Sequence, residues 1–296
     1  MVGSKQSHLS STLLSLPVYL LALTMLIPYY WMVSGAFKPV PELVRNPPTF
    51  IVESPTFNNF YDPVGNTQPG HVEGLFQRFT DAPLRFGTFF LNSVVISSAI
   101  TILSLLIASA TAFVLAKYRL PGGNVLFIII LASMMVPWQV MFIPNFLTIR
   151  DLGWINTYWA LIIPALPKAF VVFFLRQYML SIPDELIDAG RIDGANDIRI
   201  WWQLVLPLVG PALAAMAIFV VINEWNNFVW PLIVVQDTAH ATLPLALARL
   251  NSTLTGPQTM GVIMAGAFLA SLPTLIVFLM FQRQFIEGVA LTGVKG

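Results

Sequence analysis

Long apolar stretches alternate along the chain with shorter polar ones. Six apolar runs stand out: Leu13–Phe37, Thr88–Ala116, Val125–Thr148, Tyr158–Tyr178, Leu208–Val235 and Met260–Phe281. Each is long enough to cross a hydrocarbon core of about 30 Å, which takes about 20 helical residues. Helix is the expected form, because backbone groups inside a bilayer must bond within their own segment. The chain thus reads as an all-α, polytopic membrane protein with six transmembrane helices. Pro137, Pro144, Pro164, Pro167, Pro231 and Pro273 lie within the runs, which predicts kinks or short unwound turns there. No small-residue cleavage site follows the first run, so it reads as an uncleaved span rather than a signal peptide.

The polar stretches divide the rest. Residues 1–12 precede the first helix at 13–37, and residues 38–87 form the longest extramembrane segment, rich in Pro, Gly and Asn. A five-helix core at 88–282 carries a polar connection at 179–207 and a loop at 236–259, and a tail occupies 283–296. Six spans place both termini on one side. That side gathers Lys5, Lys117, Arg119, Arg176, Arg191, Arg199, Arg283 and Lys295. The other, with longer segments, carries Lys38, Arg45, Arg78, Arg85, Arg150 and Arg249. The excess of basic residues marks the denser side, with both termini, as cytoplasmic.

Composition agrees with this reading. Charged residues make up 10% of the chain, against about 25% in soluble domains. A net charge of +1 and the lack of a basic tract give nothing for nucleic acid to bind. There are no cysteines, so disulfides, iron–sulfur clusters and thiolate zinc sites are excluded. His8, His71 and His240 lack metal-ligand spacing. No phosphate-cradling loop, HExxH motif, acidic catalytic pair or Ser/His arrangement is evident. The chain has no candidate catalytic residue and no metal site, and reads as no enzyme.

The densest charge lies in Pro183–Pro207, which holds Asp184, Glu185, Asp188, Arg191, Asp193, Asp197 and Arg199 between two apolar runs. Two short amphipathic helices fit this membrane-surface connection. Ser181 followed by Asp184 makes a capping-box-like start, with Pro183 in the first turn where its missing N–H costs nothing. Gly194 can take the left-handed conformation that ends the first helix. Asp197 can cap the second, which carries Trp201 and Trp202 to the headgroup level. Ala189, Gly190 and Gly194 leave little bulk, so a partner protein can approach the backbone.

The series Asp188-Ala189-Gly190, then Gly194, then Leu204-Val205-Leu206-Pro207 resembles the EAA loop of ABC importer permeases in spacing throughout. It departs from it in Asp for Glu at 188, Gly for Ala at 190 and Leu for Ile at 204. Phe37-Lys38-Pro39, Arg191-Ile192-Asp193-Gly194-Ala195, Trp225-Asn226-Asn227-Phe228-Val229-Trp230-Pro231-Leu232 and the tail from Phe281 to Gly296 extend the resemblance to the carbohydrate-uptake branch. They are similar to the smaller membrane subunit of maltose transporters. The resemblance implies a type I importer-permease (MetI-like) fold in a bacterial cytoplasmic membrane. It also implies a second permease subunit, two ATPase subunits and an extracytoplasmic sugar-binding protein as partners. ATP and magnesium would bind the ATPase, leaving this chain without a cofactor. ATPase coupling would fall to Asp188, Ala189, Gly190, Asp193, Gly194, Leu206 and Pro207. Thr242, Leu243, Pro244 and Asn251 of the outer loop would meet the binding protein. Thr292, Gly293 and Val294 of the tail would meet the ATPase. Close relatives of this branch carry glycerol-phosphate-type solutes, so that cargo stands as an alternative. A secondary sugar transporter is a further one, but intramembrane acids are too sparse to favour ion coupling.

Polar residues inside the spans are the remaining candidates. Asn223-Glu224-Trp225-Asn226-Asn227 lies in the fifth run, with Trp230 just beyond it. Such residues usually face a bundle interior or a wet cavity. Amides bond sugar hydroxyls and indole faces pack on pyranose rings, which suits a substrate pathway. The same amides can equally serve as interhelical bonds. Lys168 is the only basic residue deep in a span and the candidate partner of Glu224. The alternative is a hydrated Glu224 lining a route, and the two asparagines that follow it favour that account.

Overall fold

The computed structural model describes residues 4–61, 74–78, 86–253, 256 and 259–293, of which 4–15, 77–78, 253 and 283–293 are described by backbone alone. Among these residues the protein is helical without strands. Its principal helices are α1 (Ser4–Ala36), α2 (Phe86–Lys117), α3 (Gly123–Ser133), α4 (Phe142–Asp151), α5 (Tyr158–Ile162), α6 (Ala169–Met179), α7 (Asp184–Ile192), α8 (Gly210–Trp225), α9 (Val229–Val234), α10 (Leu243–Thr253) and α11 (Met260–Gly293).

Three helices are long and apolar enough to cross a bilayer unaided: Leu16–Ala36, Phe86–Lys117 and Met260–Gln282. The other crossings are bent pairs. Gly123–Ser133 meets Trp138–Asp151 at 91°, Tyr158–Ala165 meets Ala169–Met179 at 44°, and Asp197–Leu208 meets Gly210–Trp225 at 81°. Among the described residues, counting each pair as one span gives up to six, the number expected from the sequence, although Asp197–Leu208 is also part of the surface connection. The kinks or unwound turns expected at the prolines appear in the third run, and the fifth is interrupted just ahead of Pro231. Pro137 opens a 3-10 turn at Trp138–Met141, and the fifth run stops being helical between Trp225 and Val229. Pro164 and Pro167 frame the break in the fourth. Pro273, by contrast, lies inside the uninterrupted α11. That helix also carries the expected C-terminal tail as far as Gly293, and Val294 falls outside the described residues.

Two compact units make up the chain, Phe86–Ala246 with Leu272–Gly296, and Met1–Arg85 with Leu247–Ser271. In the larger unit α2 packs along α6 and α8. Its buried face runs through Phe89, Ser93, Ser97, Thr101, Ser104, Ala108 and Ala112, a three-to-four-residue spacing of small side chains. Small residues let helix backbones approach closely where no water drives association. The hydroxyls bond back to their own helix: Ser97 Oγ donates to the Ser93 carbonyl at 2.6 Å, and Thr101 Oγ1 to that of Ser97 at 2.7 Å. Ser97 and Thr101 thereby enter the core with a partner, whereas the buried Ser104 hydroxyl has none among the described residues.

In the smaller unit Ala36, Phe60 and Ala265 form a core, with Phe37 and Phe268 packed on it. Lys38, only 2% exposed, donates from Nζ to the Thr49 carbonyl and lies over the Trp31 ring. Its counterion is Glu42, with Oε1 at 3.9 Å. The Glu42 carboxylate also accepts from the Thr49 hydroxyl at 2.9 Å and the backbone N–H groups of Glu53 and Ser54 at 3.0 and 3.3 Å. The Phe37-Lys38-Pro39 motif thus folds the start of the extramembrane segment around a buried cation.

Burial pushes the Glu42 carboxyl up, but the bonds from Glu53, Thr49 and Ser54 and the Lys38 charge outweigh it and hold the carboxyl below its ordinary range. A depressed folded-state pKa gives stability that is complete above the unfolded-chain value and lost as pH falls through the folded one. Thermal melting of the wild type should therefore drop on acidification below the ordinary glutamate range. Glu42→Gln should start lower at neutral pH and show a flatter acid limb. Parallel acid limbs for the two proteins would remove Glu42 from the account.

Candidate coupling surface and intramembrane polar site

The surface segment folds as two short helices, with capping that differs from expectation. Ser181 Oγ donates to the Tyr178 carbonyl rather than capping α7, and Pro183 stands at the N-cap, one residue ahead of the first turn. The second helix is capped by Asn196, whose side chain accepts from the Arg199 N–H at 2.9 Å. Asp197 is its first residue, not its cap. Asn serves as well as Asp at an N-cap, and the chain uses the one that precedes.

Gly194 meets the expectation, with φ +79°. The Ala195 N–H bonds to the Gly190 carbonyl and the Gly194 N–H to that of Arg191, both at 3.0 Å. This pair closes a Schellman motif, in which a residue with a Cβ is strained at the glycine position. Gly190 does not face outward as expected. A Cβ there would lie 3.4 Å from Ile200 Cγ1, so its bareness lets the chain's own second helix close in. What the segment does expose is apolar: Ile192 is 86% and Ile198 73% accessible, with Leu186 and Trp202 also exposed. Asp188, Ala189, Asp193 and Pro207 are exposed and Leu206 half-buried, and Asp188 pairs with Arg191 at 3.1 Å.

Beyond Arg199 the backbone widens into a π-helical stretch, Ile200–Val205, and the Leu206 N–H reaches back to the Trp201 carbonyl. Pro207, which has no N–H to continue the ladder, follows at once. The 81° bend into α8 comes two to three residues later. The segment is also fastened to the end of α2. Lys117 Nζ donates to the Ile182 carbonyl at 2.5 Å and to Asp184 Oδ1 at 2.7 Å. The hydrogen bond and charge of Lys117 hold the Asp184 carboxyl below its ordinary range.

Inside the membrane core Lys168 and Glu224 meet, Nζ to Oε1 at 2.5 Å. The Glu224 side chain is 7% exposed and that of Lys168 26%. Glu224 thus meets the partner that the sequence offered as its candidate. Asn227 Nδ2 approaches the second carboxylate oxygen at 3.5 Å. Asn223 and Asn226 donate to carbonyls of their own helix, Phe219 at 2.7 Å and Ile222 at 2.8 Å, and are exposed. Among the described residues they do not bridge helices, and no donor to either amide oxygen is seen. Trp230 is set apart, buried with its indole N–H on the Ala160 carbonyl at 2.8 Å.

The loop at 236–259 contains a helix, α10, that sequence reading missed. Asn92 of α2 donates to the Ala239 and Ala241 carbonyls at 2.8 and 2.9 Å and accepts from the Tyr158 hydroxyl. Ser93 Oγ accepts from the Leu243 N–H at 2.8 Å. Thr242 and Leu243 are consequently buried and anchor the loop; of the four outer-loop candidates only Asn251 is exposed and Pro244 partly so. Thr292 and Gly293 end α11, with side chains outside the described residues.

A helical membrane core with a charged surface connection and a paired charge within is the architecture of a transport protein. The chain belongs to the family of binding-protein-dependent transport system inner-membrane components, whose model matches residues 104–289. It is 38% identical over 292 residues to an arabinooligosaccharide transport-system permease protein, AraQ, of Halalkalibacterium halodurans, covering 99% of each chain. It is 32% identical to the lactose transport-system permease protein LacG of Rhizobium radiobacter, over 91% of each. With the sn-glycerol-3-phosphate permease protein UgpE of Yersinia pestis it shares 33% identity over 69% of this chain and 72% of that one. Among solved structures, a bacterial ABC transporter importing the acidic polysaccharide alginate superposes with TM-score 0.77 at 23% identity, covering 96% of this chain and 99% of that one. The fold is therefore that of ABC importer permeases.

The ion pair makes a direct prediction. Glu224→Gln leaves Lys168 without its counterion and should destabilise the protein more than Glu224→Gln combined with Lys168→Met. A double-mutant cycle on thermal stability should give a coupling of about 0.5–3 kcal/mol, toward the low end because Lys168 keeps some solvent contact. Additive single effects would show that the contact carries no energy.

Proposed function

We propose that this chain is a transmembrane permease subunit of an ATP-driven importer that takes up a di- or oligosaccharide delivered by an extracytoplasmic binding protein. The observation that carries the reading is the surface segment 183–207. Its Schellman turn at Gly194 presents exposed Ile192 and Ile198 beside a charged rim, a surface suited to docking an ATPase subunit. That subunit binds ATP and magnesium and performs hydrolysis. This chain pairs with a second permease subunit, and its termini and segment 183–207 face the cytoplasm. In the notation of the sequence, 88–282 is the permease core and 236–259 the loop toward the binding protein. Asn251 and the partly exposed Pro244 are the loop residues available to meet that protein, and Thr292, Gly293 and Val294 are the tail residues assigned to the ATPase contact.

A sugar cargo is supported by the named arabinooligosaccharide and lactose relatives. The polar cluster points the same way. Its cation, Lys168, is already neutralised by Glu224, and what remains exposed are the amides of Asn223 and Asn226. Amide oxygens suit hydroxyl donors better than a phosphate dianion, which disfavours the glycerol-phosphate alternative.

Membrane vesicles loaded with ATP, held without an ion gradient and supplied with the binding protein should accumulate labelled arabinooligosaccharide and not sn-glycerol 3-phosphate. Uptake that needs an ion gradient and ignores ATP would refute the importer reading. Gly194→Val, strained by roughly 1–2 kcal/mol at positive φ, should insert normally yet lose ATPase copurification and uptake. Full transport by this variant would refute the docking role.

A further inference from the structure

The surface segment meets the end of α2 at a second place besides Lys117. In α7, Asp184, Ile187 and Arg191 share one face of the helix, spaced three and four residues apart. Asp184 takes the Lys117 ammonium, and Ile187 is buried. Two turns beyond Asp184, about 10 Å along the helix, the Arg191 guanidinium lies over the ring of Tyr118, 5.4 Å from its centroid. That is within the roughly 6 Å at which a cation is drawn to an aromatic face. Phe113 meets the same ring edge-on, centroids 5.5 Å apart, and steadies its plane. The Tyr118 hydroxyl is buried near Asp197 and Arg191 but makes a well-formed hydrogen bond to neither, so the ring carries the contact. Arg191 also pairs with Asp188 at 3.1 Å, with its side chain 42% exposed. Ion pairs as open as this contribute little to stability. What the contact fixes is direction. Held only at Asp184, a short helix can pivot about that point. Held again two turns later it cannot, and the neighbouring Ile192, 86% exposed, keeps a set heading.

We propose that Arg191 is a positioning residue for ATP coupling: laid on Tyr118, it is the second anchor that orients α7 against α2. A movement of the docked ATPase is then passed to α2 instead of being lost as rotation of the segment. The inference rests on the importer reading, and Arg191 acts through α7 rather than on nucleotide or solute. A guanidinium suits the role because its plane stacks on an aromatic face while its donors still reach a carboxylate, here Asp188. Lysine, a compact point charge on a flexible stem, does not fix both contacts in one geometry.

The test uses the assembled transporter in proteoliposomes with its binding protein, ATP and labelled arabinooligosaccharide. It reads ATP hydrolysed per solute accumulated, beside melting temperature and ATPase copurification. Arg191→Gln and Tyr118→Leu should each melt near the wild type, retain the ATPase and consume several-fold more ATP per solute. Arg191→Lys should fall between, and Tyr118→Phe, which keeps the ring, should match the wild type. Because the two side chains form one contact, the double variant Arg191→Gln with Tyr118→Leu should be no worse than either single one. Additive effects in the double variant would overturn the proposal, as would a ratio in Tyr118→Phe as high as in Tyr118→Leu. Loss of ATPase copurification in Arg191→Gln would make the residue a docking contact, and a markedly lowered melt a merely structural one; either overturns it. Wild-type uptake that ignores ATP would refute the importer reading and this inference with it. ATP-driven wild-type uptake with an unaltered ratio in Arg191→Gln would overturn the inference alone.

Discussion

The core depends on one ion pair set where two helices are interrupted. Lys168 stands at the N-cap of α6 and Glu224 one residue before the end of α8. A cation at a helix N-terminus and an anion at a C-terminus each oppose the macrodipole of their own helix. Without its partner the Glu224 carboxylate, 7% exposed, would be unfavourable, and Lys168, 26% exposed, less so. At 2.5 Å each answers the other, and the breaks in the fourth and fifth crossings are held face to face. The indole of Trp230, bonded to the Ala160 carbonyl, joins the same two crossings a second time. Interrupted helices in a bilayer persist only where protein groups replace the missing backbone partners; the Trp230 indole does so for the Ala160 carbonyl, four residues before Pro164, which has no N–H to offer it.

Much of this was legible in the sequence because it followed from local chemistry. Apolar length gave the crossings, and the spacing of Gly194 after Asp188 gave the turn, since few residues other than glycine accept its φ. What escaped was decided by neighbours distant in sequence. Gly190 looked like an outward-facing gap, but Ile200 and Leu204 fill the space against it. Thr242 and Leu243 looked like a loop surface, yet Asn92 and Ser93, about 150 residues earlier, draw them inward. Proline marked the candidate breaks without ranking them. At Pro137 the chain turns through a right angle, whereas at Pro273 the helix continues. The π-helical stretch before Pro207 leaves no signature in apolar periodicity at all.

The polar cluster shows the same division. That Glu224 needed compensation was a matter of solvation, readable from its place in an apolar run. That Lys168 supplies it required knowing which faces of two broken helices meet. Asn223 and Asn226 settled into neither role foreseen for them. Each bonds one turn back on its own helix, which relieves the amide nitrogen and leaves the oxygen as the group presented outward.

The helix α2 has a mechanical consequence. It is 32 residues long, about 48 Å at 1.5 Å per residue, and no proline interrupts it. Its N-terminal end is bolted to the loop at 236–259 through Asn92 and Ser93, and its C-terminal end to the surface segment through Lys117. A stiff strut fixed at both ends transmits displacement along its length instead of absorbing it. A displacement of the segment near Asp184 would therefore be carried to Ala241 and Leu243 by the helix as a whole, as a push or a tilt one membrane thickness away.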